Sequence, residues 1–267
     1  MNPSRVLSAE YSQQAESYAQ YWAPVIHPMA RPLLEAMPLG RAGRIVDIGC
    51  GSGGLWSLLL EAAPHAQIWG VDPALGMLRA GGDRLRGRVA VMDAAQLGLQ
   101  AETFDVALLL FVLFHIPDPI RALREIRASL LRGANIGVVV WGADPGLPGL
   151  SIWTEELDRA QAAPDPRDPA VMRQSWMDSP AKLASLLHEA DLHPERVWNR
   201  TFIHRWTPGA LFTTQTHCGL PSRRLKSLSP AAQRACTDRV RSRLENLSPD
   251  ALQYQVEVVY GLARRPA

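Results

Sequence analysis

Cysteine is scarce in this 267-residue sequence: Cys50, Cys218 and Cys236, with no C-x-x-C pair. So odd and scattered a set excludes a disulfide framework and a cysteine zinc site, and it suits a reducing cytoplasm. Lysine is scarcer, with Lys182 and Lys226 alone among 28 basic residues. Against 26 acids these leave a net charge of +2, so no global field recruits nucleic acid or an anionic membrane. Long apolar runs are also missing. The longest, Val106 to Phe114, has nine residues, where a bilayer span needs about twenty. The stretch M-N-P-S-R-V-L-S-A-E-Y has no apolar h-region, so no signal peptide is expected. No repeat or low-complexity tract is present, and no metal is expected. What remains is 47% hydrophobic and 20% charged, enough for one large core with an appended lid.

The densest signal is R-I-V-D-I-G-C-G-S-G-G, Arg44 to Gly54. An apolar run ends in Asp47, and Gly49, Gly51, Gly53 and Gly54 follow ahead of a helix-forming run, Leu55 to Ala63. That is a buried strand, a tight turn and a helix N-terminus, where glycine lets a ligand approach bare backbone and unpaired N–H groups. Two cofactor classes use such a turn. Gly49, Gly51 and Gly54 satisfy the dinucleotide spacing G-x-G-x-x-G. Asp47, Gly49, Gly51 and Gly53 satisfy D-x-G-x-G-x-G, the pattern of the S-adenosylmethionine (SAM) class. The glycines alone do not separate the two.

Upstream, Tyr11, Ala15, Tyr18 and Trp22 share one helical face, and Pro24, Pro28 and Pro32 are expected to cut residues 8–38 into short pieces. Downstream, Gln67–Val71 reads as a second strand ending at Asp72, a position suited to gripping a ribose or to capping the helix that follows Pro73. Arg88–Met92, Thr103–Phe111 and Ile136–Trp141 read as three more strands, with a helix from about Pro119 to Leu131 that Gly133 stops. Continuous apolar strands alternating with helices predict an open, doubly wound, mostly parallel sheet. Its ligands bind beyond the carboxyl ends of the strands, where Asp47, Asp72, Asp93 and Phe111–His115 gather. Val197–Trp206 and Tyr254–Ala263 add an antiparallel pair, making seven strands. Asp144 to Gly149 reads as a loop and Ser151–Ala162 as a helix. Pro221 to Pro249 carries seven basic residues that read as a solvated helix surface.

V-D-I-G-C-G-S-G-G, V-D-P-A-L-G-M-L, M-D-A-A and F-D-V-A-L-L-L-F-V-L-F-H-I-P-D together resemble, in order, the motifs of class I SAM-dependent methyltransferases, in particular the small-molecule group that includes the ubiquinone/menaquinone-biosynthesis type. The resemblance is dense over residues 44–142 and looser to about 264. It implies a Rossmann-like fold and SAM as cofactor, released as S-adenosylhomocysteine. It implies that Gly49, Gly51 and Gly53 line the methionine moiety, that Asp47 supports the turn and that Asp72 takes the ribose hydroxyls. Pro73 and Met77 would flank the adenine, and Asp93 with the Ala94 N–H would bond its edge. The backbone at Leu110 and Phe111 would meet the methionine ammonium, and Tyr11 and Tyr18 would fold over the cofactor. Many members carry paired histidines after the fourth strand; here Phe114 precedes a lone His115.

The chain accordingly divides into an N-terminal helical flap (1–43), a SAM-binding core (44–143), a lid insertion (144–178), a core helix and strand (179–206), a second helical lid (207–250) and a final strand and tail (251–267). Methyl transfer from a sulfonium needs alignment and exclusion of water, and an acidic acceptor must also lose a proton. His115 is the rim histidine available as base, with a turn residue bonded to backbone as its other reading. Trp22, His115, Trp153, Trp176, Phe212 and His217 are the expected acceptor contacts. They predict a hydrophobic or aromatic small molecule, methylated on oxygen in preference to carbon or nitrogen, in secondary-metabolite or quinone-like biosynthesis. A SAM-binding enzyme with another reaction, such as a cyclisation, and a non-catalytic SAM-binding protein are the competing readings.

Overall fold

The computed structural model describes residues 2–143 and 146–267; the Asp144–Pro145 part of the expected loop lies outside the described residues. Seven strands form one sheet in the order β3-β2-β1-β4-β5-β7-β6. They are β1 (Arg44–Ile48), β2 (Gln67–Val71), β3 (Val89–Ala90), β4 (Phe104–Leu110), β5 (Leu130–Trp141), β6 (His193–Arg205) and β7 (Gln253–Arg264). The order reverses between β1 and β4, which run parallel, and that switch point opens a crevice at the strand ends. β7 is antiparallel to both β5 and β6.

The helices are α1 (Pro3–Gln13), α2 (Ala15–Ser17), α3 (Ala23–Ala36), α4 (Trp56–Ala62), α5 (Leu75–Ala80), α6 (Pro119–Ser129), α7 (Pro148–Arg159), α8 (Pro180–Glu189), α9 (Pro208–His217), α10 (Gly219–Leu225) and α11 (Pro230–Glu245). α3 packs on β5 and β7, where Gly137 makes room for Leu33 and Met37. α8 packs on β6 and β7, where Gly261 makes room for Leu183 and Leu187. The buried Tyr260 hydroxyl donates to the Met29 carbonyl at 2.7 Å and ties β7 to α3. No helix among the described residues is long and apolar enough to cross a membrane.

Three local expectations need correction. Pro28 and Pro32 lie inside a continuous α3. Each removes one helical hydrogen bond, but the buried face of Val25, Ile26, Met29, Ala30 and Leu33 holds the helix on the sheet. The third strand shrinks to Val89–Ala90 because it is the edge; Val91 is already exposed. Gly133 does not stop α6, which ends at Ser129. Instead β5 starts at Leu130, and Gly133, at φ +74°, sits where the pairing of β4 with β5 shifts register.

Candidate active site

β1 delivers the glycine turn to the crevice. Gly49 has φ +72°, and a Cβ there would sit 2.4 Å from the Val112 side chain, so both conformation and space demand glycine. The Gly49 and Cys50 N–H groups donate to the Val71 carbonyl, pinning the turn to the end of β2. Asp72 completes the brace. Its Oδ2 accepts from the Gly51 N–H at 2.9 Å and its Oδ1 from the Ala74 N–H at 2.8 Å. Asp72 is therefore no helix cap; Ala74 stands at the cap of α5, with no side-chain bond. Burial pushes the Asp72 carboxyl up to about 6, against the pull of those two N–H donors.

Around this turn lies a cleft of about 1070 Å³, counting its open mouth. Gly49, Gly51, Asp72, Pro73 and Met77 line it from the first two strand ends. Asp93, Ala94, Leu110 and Phe111 line it from the next two, and Tyr11 and Tyr18 from the N-terminal helices. Asp93 Oδ1 accepts from the Ala95 N–H at 2.9 Å, while the Ala94 N–H bonds to no described residue. Two expected residues stand behind the wall. Gly53 faces Leu85, whose Cδ2 leaves no room for a Cβ. Asp47 is buried under the turn, accepting from the Trp56 indole N–H at 3.0 Å. Burial raises its carboxyl to about 7, and the neighbouring Asp72 adds to the rise against the Trp56 bond.

A second cleft, about 1940 Å³ with its open mouth, adjoins the first. Tyr11, Tyr18, Ile26, Phe111 and His115 line both. A π-helical turn, Tyr18–Trp22, carries Tyr18 to this junction and Trp22 to the second cleft. Phe111 adopts φ +61°, a conformation that a non-glycine residue holds only when its surroundings enforce it. His115 Nδ1 lies 3.2 Å from the Val171 carbonyl, which can only accept, so Nδ1 carries the proton. Nε2 then accepts from the Tyr11 hydroxyl at 3.0 Å. Burial lowers His115 to about 4, and the charges of Arg167 and Arg223 assist against the Val171 bond. Tyr11 is raised by burial, partly offset by the same two arginines.

Of the expected acceptor contacts, Trp22 and His115 line the second cleft. The other four do not. Trp153 is fully buried inside the lid, stacked on Phe212 at 5.7 Å. Phe212 takes the Arg241 guanidinium on its ring. Trp176 is 45% exposed under Arg173, and His217 is exposed beside Tyr21. The cleft is built from Phe114 and Trp141 on its apolar side, and from Gln14, Arg167, Gln174, Gln215 and Arg223 on its polar side. Of these, Phe114 had drawn notice in the sequence as the neighbour of His115, Trp141 as a strand end and Arg223 as part of a basic run, none of them as an acceptor contact.

That basic run is not a solvated surface throughout. Glu156 of α7 is fully buried and accepts from Arg239 Nε at 2.7 Å and Arg243 Nη1 at 2.8 Å. Arg224 is buried too, donating to Asp158 at 2.6 Å and to the Ala163 carbonyl at 2.9 Å. These pairs clamp α10 and α11 onto α7, so the two insertions pack against each other as one helical cap.

The family model described as a methyltransferase domain matches residues 19–197. The chain belongs to that family. Its cofactor is SAM, and the first cleft fits it: a bare glycine turn, a braced carboxylate and an unpaired Ala94 N–H face one space. The malonyl-[acyl-carrier protein] O-methyltransferase of Acetivibrio thermocellus is 38% identical over 86 residues, 32% of this chain and 30% of that protein. The ubiquinone/menaquinone biosynthesis C-methyltransferase UbiE of Syntrophotalea carbinolica is 33% identical over 121 residues, 43% of this chain and 51% of that protein. The chain thus spans about half or less of the curated relatives it matches. The solved YcgJ protein of Bacillus subtilis shares the fold at 17% identity, with TM-score 0.55 over 90% of this chain and 99% of that one.

Proposed function

We propose that the protein transfers the methyl group of SAM to an oxygen of a small molecule with an apolar or aromatic body, in secondary-metabolite or quinone-like biosynthesis. The observation that carries this reading is the meeting of two clefts at Tyr11, Tyr18, Phe111 and His115. When bound, SAM supplies an electrophilic methyl group on a sulfonium with a neutral leaving thioether. The chain's own residues position and enclose. Asp72, Asp93 and Ala94 hold the nucleoside end in the first cleft, and Leu110 and Phe111 border the methionine end. The flap of residues 1–43 covers the cofactor with Leu7 and Tyr11, excluding water. Trp22, Phe114 and Trp141 flank the acceptor body in the second cleft. All three cysteines are free and buried, which supports a reducing, cytoplasmic setting.

His115 is a weak base in this setting. Its proton-accepting nitrogen is taken by Tyr11, and burial disfavours its cation. An acceptor proton would leave through the Tyr11 hydroxyl toward His115 Nε2. Calorimetric titration of ligand-stripped protein with SAM, run beside NADH, tests the cofactor, and release of S-adenosylhomocysteine over an acceptor panel tests the transfer. Saturable SAM binding with silent NADH and acceptor-dependent release supports the reading. Silence with SAM overturns it, and product formed without S-adenosylhomocysteine release replaces methyl transfer with a rearrangement.

A further inference from the structure

The polar side of the second cleft is oddly unfinished. Among the described residues, seven buried side-chain polar atoms have no hydrogen-bond partner, and three of them, Gln14 Nε2, Gln174 Oε1 and Arg223 Nε, belong to residues lining this cleft. A fourth, Glu10 Oε2, lies beside Arg223. Buried groups of this kind are normally satisfied by protein, water or ligand.

Arg223 is the sharpest case. Its side chain is only 12% exposed, yet it makes no hydrogen bond to any described residue. The nearest carboxylates, Glu10 and Asp165, stand off at 3.9 and 3.8 Å. Asp165 is already committed to Arg167, which chelates it with contacts of 3.0 Å and 2.6 Å. Asp178, on the same cleft, is held by Lys182 at 2.7 Å. The next residue along the chain, Arg224, is by contrast fully engaged with Asp158 and two carbonyls. A guanidinium left with open donors on a cleft wall matches a planar oxyanion.

We propose that Arg223 anchors an anionic group of the acceptor, a carboxylate, in the second cleft. This rests on the methyl-transfer reading above and names its substrate class: an apolar body on Trp22, Phe114 and Trp141, with an acid end at Arg223. Gln14 Nε2 supplies a further open donor at the same wall.

The test is binding, by calorimetry, of benzoate, phenylacetate and phenylpropionate to the protein saturated with S-adenosylhomocysteine. Each is run beside its neutral carboxamide, and phenyl phosphate forms a separate arm. At least one acid binds about tenfold or more tighter than its amide. Arg223→Gln removes that preference, Arg223→Lys keeps part of it, and S-adenosylhomocysteine affinity is unchanged in both. Stronger Arg223-dependent binding of phenyl phosphate upholds the anion site and names phosphate as its source. Amides that bind as well as acids, a preference that survives Arg223→Gln, or no binding by any probe while S-adenosylhomocysteine binds, each overturns the proposal. Failure to bind S-adenosylhomocysteine at all overturns the cofactor reading instead. Should Arg223→Gln not fold, the acid–amide comparison on the unmodified protein decides.

Discussion

Gly76→Ala gives the most direct test of how the N-terminal flap is held. By intrinsic propensity the change stabilises α5, by about 1 kcal/mol. Its effect on packing has the opposite sign. The new Cβ would sit 2.3 Å from the Ser12 carbonyl oxygen and 2.6 Å from the Ser12 Cα. Both are backbone atoms, so no side chain can rotate away, and the helices must part. Parting them breaks the Gly76 N–H to Ser12 Oγ bond of 3.1 Å and draws Leu7 and Tyr11 back from the first cleft. Overpacking of this kind costs about 1–3 kcal/mol.

Ordering the eleven residues of α1 costs about 1 kcal/mol or more per residue, so the docked flap has little net margin. The clash then appears almost whole as lost SAM affinity, about fivefold to a hundredfold. Calorimetry measures that loss, hydrogen exchange reads α1, and thermal melting of the ligand-free protein shows the core unchanged or slightly stabilised. Ser12→Ala is the control. It removes one hydrogen bond without a clash, worth about 0.5–1.5 kcal/mol, and costs about tenfold or less. Gly76→Ala with SAM affinity within twofold of the parent and α1 exchange unaltered would refute the reasoning.

Asp47→Asn should stabilise the ligand-free protein at about pH 8 and leave it unchanged at about pH 4. The folded carboxyl is raised from its ordinary 3.8 to about 7, so its contribution is fully present below 3.8 and is lost as pH rises through 7; the gain is at most about 4 kcal/mol. Melts of both proteins across that window check it, and parallel curves would exclude a raised Asp47. His115, lowered to about 4, stays neutral throughout the neutral range. The kcat/KM profile should therefore show no ionisation near 6.5 that His115→Ala abolishes; such a limb would restore His115 as a titrating base. Tyr11→Phe removes the 3.0 Å bond to His115 and should cost about tenfold or more in kcat/KM for a phenol acceptor that must lose a proton. The same change should cost a carboxylate acceptor several-fold less, as progress curves on matched acceptors would show.

The lining of the first cleft was legible because its signals are local in sequence. A strand end, a glycine turn and a terminal carboxylate recur within a few residues, and the topology then carries Asp72, Asp93 and Phe111 to one rim. Even there Gly53, expected to line the cleft, stands behind its wall against Leu85, while Asp47 supports the turn from beneath as expected. Pattern tells which residues sit in the turn but not which way each one faces. The second cleft was legible only in outline. Trp153 and Glu156 of α7 are three positions apart and share its buried face, so an aromatic that looked like a ligand contact became lid core. Arg223 and Arg224 are adjacent and face opposite ways, one to the cleft and one to Asp158. A buried acid on an amphipathic helix was the available clue. Glu156 among apolar neighbours calls for cations from elsewhere, and the basic run after Pro221 is the richest supply.

The lid's charges bear on why the cleft is polar at all. Arg224, Arg239 and Arg243 each find a carboxylate of α7 at 2.6–2.8 Å, so this cap is able to pair its arginines where nothing else is asked of them. Arg223 lies on the same helix as Arg224 and would need only a carboxylate about 1 Å closer to be paired in the same way. Glu10 and Asp165 are present but held back, Asp165 by Arg167. Unmet polar groups stand on one wall of the second cleft, and the left-handed Phe111 stands where that cleft meets the first. Each costs about 1–3 kcal/mol. Their shared position is what a site complementary to a polar ligand requires, and an aromatic acceptor lacking an acid end would leave them unanswered.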